Sequence, residues 1–119
     1  MPTVIVKGGK QWQRDIVNKS VDWCLGRLSL KSMHRLHVTI IIGYLDDCCG
    51  WCKALEETNR IFRIAISNDQ SLRNFVMTIV HEMIHVKQYA RNEWLLDGEP
   101  EAWGSQEILT DELWLSDIL

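Results

Sequence analysis

The chain of 119 residues carries two kinds of apolar pattern. In "LHVTIII", Leu36, Val38, Ile40 and Ile42 alternate onto one side of a β-branched run, which predicts a strand over 36–42 ended by Gly43. In "RIFRIAIS", residues 60–67, Phe62, Ile64 and Ile66 share a face and predict a second strand. Trp51 to Leu55 predicts a short strand joined to it through "EETN" at Glu56 to Asn59, giving a meander or hairpin. "TVIV" at Thr3 to Val6 is a candidate edge strand, stopped by Gly8 and Gly9.

The second pattern is helical. Val17, Val21, Cys24 and Leu28 recur at spacings of four, three and four residues, predicting a helix from about Gln11 to Leu30 whose apolar face meets the sheet. The polar stretch from Ser67 to Ser71 supplies capping residues for a long helix over Leu72 to Arg91. Its stripe of Leu72, Phe75, Val76, Ile79, Met83, Val86 and Ala90 lies nearly opposite His81 and His85. A third helix starts at Pro100, suited to the first helical position, and runs to about Leu109. The tail "DELWLSDIL" reads as one more short helical turn docked by Leu113, Trp114 and Ile118. The pattern predicts an α+β single domain over 1–119: an N-terminal helix, a small antiparallel or mixed sheet, and two helices after it.

Composition narrows the function classes. With 46% hydrophobic and 24% charged residues, the chain affords one core. A net charge of -3 with scattered basic residues argues against tracking a nucleic-acid backbone. No apolar run approaches membrane-spanning length and the first residues lack a secretion pattern, so a cytoplasmic protein with no membrane partner is expected. The cysteines Cys24, Cys48, Cys49 and Cys52 then read as reduced thiols. The C-x-x-C spacing of Cys49 and Cys52 admits a zinc knuckle or a redox pair, but with no second such pair a structural cluster at a turn is expected. The tryptophans, large aromatics in a small domain, are expected in the core.

The chemistry sits in "VMTIVHEMIHVKQYA", where His81, Glu82 and His85 read H-E-x-x-H. Residues four apart on a helix share a face, so both imidazoles can point at one ion. Glu82 is rotated by about 100° from His81, close enough to reach an ion-bound water as a general base without ligating the ion. Two histidines on a solvated helix face would be the ordinary alternative. The uncharged neighbours Ile79, Val80, Met83, Ile84 and Val86 suit a partly desolvated site better. Tyr89, one turn beyond His85, is a candidate hydrogen-bond donor to a developing oxyanion.

The run "HEMIHVKQYA" resembles the active-site helix of small gluzincin-type metallopeptidases, the SprT-like and the phage-encoded or bacterial minigluzincin-like domains. The order of elements is also similar over most of the chain. The resemblance implies a zincin-like fold, a Zn2+ ion, a metal-activated water, peptide-bond hydrolysis, and a glutamate of the following helix as third ligand. It points to Glu99, because "EPEA" matches the family's E-x-x-A. Glu101, in the first turn if Pro100 starts the helix, is the competing ligand, and Asp97 a lesser one. The segment "VKQYARNEWLLDG" is shorter than the family pattern.

The expectation is a zinc-dependent metallopeptidase with His81, His85 and Glu99 on the metal and Glu82 as base. It would act on a peptide or protein substrate held by strand addition along 60–67, in the host cytoplasm if phage-encoded. At this size, a partner protein is expected to select the substrate. The alternative is a non-catalytic, metal-stabilised binding or regulatory module whose shell is closed by Glu101 or a cysteine.

Overall fold

The computed structural model describes residues 2–46, 48–55, 59–93 and 99–119. The β-rich runs and helical stripes form β1 (Thr3–Gly8), α1 (Gln11–Arg27), β2 (His37–Gly43), β3 (Gly50–Ala54), β4 (Ile61–Ser67), α2 (Leu72–Ala90) and α3 (Glu99–Leu115). The strands make one mixed sheet in the order β1-β2-β4-β3, with β1, β2 and β4 parallel and β3 antiparallel to β4. The α+β expectation holds, with three helices and four strands among the described residues.

Register explains why one face is the core. Val38 pairs with Phe62, Ile40 with Ile64 and Ile42 with Ile66, so the alternating residues of β2 and β4 form side-by-side rows, all buried. The other face stays open, with Ile5, Ile41, Lys53 and Arg63 exposed. α1 buries Val17, Val21 and Cys24 as its spacing predicts, but packs on α2 as well as on β1. It ends at Arg27, three residues before the expected end, where the Leu28 N–H bonds the Cys24 carbonyl and Ser29 turns to φ 59°.

The strand-addition expectation needs correction. Of the expected meander or hairpin, the hairpin forms between β3 and β4, and β4 lies between β2 and β3. Hence 61–67 has neighbours on both sides and offers no edge for strand addition, while the short β3 is an edge. The start of β4 also fixes α2, since the Asn59 and Arg60 side chains both donate to the Ala90 carbonyl at 3.2 and 3.0 Å.

α2 starts where Ser71 accepts a hydrogen bond from the Asn74 amide. Its buried surface exceeds the expected stripe: His81, Glu82 and His85 are buried too, because α3 packs against this side. Leu72, counted in the stripe, is exposed in the first turn. The third helix does not stop near Leu109 but continues to Leu115. Its polar stretch is anchored by Arg73 to Asp111 and by Arg27 to Glu112. Leu113 docks as expected, whereas Trp114 and Ile118 remain exposed. The tryptophans are a further correction. Of Trp12, Trp23, Trp51, Trp103 and Trp114 none is buried, and Trp94 lies outside the described residues. Aliphatic residues fill the core instead, together with Phe62 and Phe75. No helix among the described residues is long and apolar enough to cross a membrane.

Candidate metal centre

The one-turn spacing on α2 brings the His81 and His85 rings to 4.8 Å, and the first residue of α3 completes the cluster. Glu99 Oε1 lies 2.6 Å from His85 Nε2 and 3.3 Å from His81 Nε2. These are the three groups that can hold a metal ion among the described residues, with ligand atoms within 4.8 Å of one another. The small, fully buried Ala102 permits the close approach of α3 to α2 that this needs. Burial pushes the Glu99 carboxyl up, but hydrogen bonds from His81 and His85 and their charges outweigh it and hold it below its ordinary range.

Sequence reasoning missed the glutamines behind the histidines. His81 Nδ1 lies 2.8 Å from Gln106 Oε1, and His85 Nδ1 lies 2.8 Å from Gln88 Oε1. An amide oxygen only accepts, so each Nδ1 carries a proton and Nε2 is the ring atom turned to Glu99. Both Nε2 atoms face the same Glu99 oxygen. Two imidazoles with a carboxylate are a suitable donor set for a divalent transition metal, which would take the place of the proton between them. Ligands at about 2.0–2.2 Å from a tetrahedral ion lie roughly 3.3 Å apart, the His81–Glu99 separation; the His85–Glu99 contact would have to widen. The available signals were position alone: Gln88 three residues beyond His85 on α2, and Gln106 two turns beyond Glu99 on α3.

The competing ligands fall away from the cluster. Glu101 accepts from Lys87 Nζ and from Gln88 Nε2, the latter at 2.9 Å. The hydrogen bond from Lys87 holds its carboxyl below the ordinary range, with Gln88 adding to the effect against desolvation. Asp97 lies outside the described residues.

Glu82 does not join the three ligating groups, although it borders the same cleft. Burial, and secondarily the charge of Glu99, push its pKa up to about 8. A bound cation would act in the opposite sense. The cleft encloses about 700 Å³ and runs from β3 across α2 to α3. Trp103 of α3 sits edge-on to His81 at 5.2 Å and Trp51 of β3 lies on the other side, so these aromatics line the site and not the core. Tyr89 also borders it, its ring 6.2 Å from Phe62.

Gly50 sets how closely β3 approaches Glu82. A Cβ there would lie 2.7 Å from Thr78 Cγ2 and 2.8 Å from the Ala65 carbonyl oxygen, with Glu82 Oε2 at 3.4 Å. Gly50→Ala is expected to push β3 off α2 and to cost about 1–3 kcal/mol, read by denaturant unfolding. Unchanged stability would show that β3 can shift freely.

Cys48, Cys49 and Cys52 line the cleft as free thiols and none joins the ligand cluster. Burial, then the charge of Glu82, push the Cys52 thiol strongly up. The Cys52 thiolate, the reactive form, is thereby disfavoured. Comparisons with protein-family models, curated proteins and solved structures return no match, so the reading of this site rests on its own geometry.

Proposed function

We propose that the protein is a zinc-dependent metallopeptidase of the gluzincin type. The observation that carries the reading is the division of roles on one turn of α2. His81 and His85 converge with Glu99, while Glu82 between them stays outside the cluster yet borders an open cleft. His81, His85 and Glu99 would hold the zinc ion, which when bound acidifies a water and polarises a substrate carbonyl.

The chain supplies the rest. Glu82 takes the proton of the attacking water, and its burial favours a base working near neutral pH. The β3 edge offers unpaired main-chain groups to an extended peptide, the role first expected of 60–67. Gly50 lets β3 pack closely against Thr78, beside Glu82. Tyr89, which lines the cleft, would donate a hydrogen bond to the oxyanion. The closed shell of a non-catalytic module finds little support, since Glu101 is engaged by Lys87 and Gln88 and no cysteine joins the cluster.

The test is metal analysis of the purified protein alongside hydrolysis of a diverse peptide library. About one zinc per chain, with cleavage lost on chelation and restored by zinc, is the expected result. Stoichiometric zinc with no cleavage of any peptide would favour the binding module.

A further inference from the structure

One face of the sheet is buried and the other is open, and the open face carries charge of one sign. β1, β2, β3 and β4 contain no Asp or Glu, although the chain has 16 of them and a net charge of -3. The Lys and Arg residues of the strands, Lys7, Lys53 and Arg63, are all exposed on the open face. None of them is in an ion pair among the described residues. Register gathers them: Ile5, Thr39, Arg63 and Lys53 form one row across the strands, and Lys7, Ile41, Ala65 and Trp51 the next. Arg63 and Lys53 are direct partners on antiparallel strands, and like charges so placed cost stability. Lys53 also lies over the Trp51 ring, 5.8 Å from its centroid, a contact that leaves its charge in place. The fold does not explain this pair, whereas an anionic partner would.

We propose that the open face docks an acidic amphipathic helix of a partner protein. Four strands span roughly 15 Å, enough for one helix of about 10–12 Å. A helix lying along β2 covers the exposed Ile5 and Ile41 with its apolar stripe. Its flanking carboxylates meet Lys7 on β1 and, on the other side, Arg63 and Lys53. A second copy of this chain fits poorly, since a symmetric face-to-face pair sets the same cations against one another. Single-stranded nucleic acid stacks on aromatics at the centre of a sheet, and here the centre is Thr39, Ile41 and Ala65. Trp51 ends its row and also borders the cleft, so this face adjoins the candidate site. Docking needs no metal and stands apart from the catalytic reading.

The test uses the full chain labelled with nitrogen-15 and three synthetic amphipathic peptides, with leucine on one face and glutamate, glutamine or lysine on the other. The glutamate peptide should shift the amide signals of β2 and β4, and added salt should weaken its binding. Arg63→Glu should weaken it roughly 10-fold or more. Lys19→Glu, an equal change of net charge on an exposed position of α1, should leave it nearly unchanged. Arg63→Glu should also keep or raise the melting temperature, because Lys53 then faces an opposite charge. A fall would mean that Arg63 serves the fold, and would overturn the proposal. So would absence of binding, or equal binding of the glutamine or lysine peptide. Tighter binding of a thymidine oligonucleotide on the same face would overturn it in favour of nucleic acid. Dimerisation of the unaltered protein that covers these strands would overturn it in favour of a second copy.

Discussion

Glu82→Gln is expected to lower kcat/KM for a cleavable peptide about 10²-fold to 10⁴-fold while leaving zinc content unchanged. The substitution keeps the side chain's size and removes only its ability to take a proton. Glu82 supplies no ligand atom to the cluster, so the affinity of His81, His85 and Glu99 for metal has no reason to fall. Stability should not fall either. The folded-state pKa of Glu82 is raised to about 8, so at neutral pH its charged form is disfavoured by folding. That penalty grows as pH rises from the unfolded carboxyl range through the folded pKa, and the neutral amide removes it. Peptide turnover, metal content and melting temperature measured on one preparation separate these effects. Hydrolysis within tenfold of the unaltered protein would remove Glu82 from the role of base.

Glu99→Ala is expected to abolish stabilisation by zinc. A ligand present at a hundredfold excess over its Kd stabilises the native state by about 2.7 kcal/mol, and at a thousandfold excess by about 4.1 kcal/mol. For a domain of this length that corresponds to a melting-temperature rise on the order of 10 °C. Without Glu99, two histidines remain on one side of the ion and α3 no longer contributes to holding it. The zinc-dependent rise should then nearly vanish, while Glu101→Ala should retain part of it. An equal rise in Glu99→Ala would mean that another group completes the shell.

Much of this arrangement was legible because periodicity reports faces. The spacing of Val17, Val21 and Cys24, and the alternation of Phe62, Ile64 and Ile66, led to buried surfaces that exist. Periodicity does not report neighbours, which is why 60–67 read as a peptide-binding strand when it lies inside the sheet. The length of α3 was obscured for a related reason. Its polar residues near 111–112 look like a break, and only the distant Arg73 and Arg27 that pair with them make continuation favourable. The choice between Glu99 and Glu101 turned on Gln88 and Lys87, whose side chains hold Glu101 away from the histidines. Spacing alone placed both glutamates at the start of one helix.

All three candidate ligands come from α2 and α3, while the nearest wall of the cleft comes from β3. The cage and the surface that would read a substrate thus belong to separate stretches of chain, meeting closely at Gly50. Such a division makes the domain evolvable. Under the proposed function, exchanging residues along β3 other than Gly50 would alter which peptides are accepted, with little consequence for how firmly the ion is held.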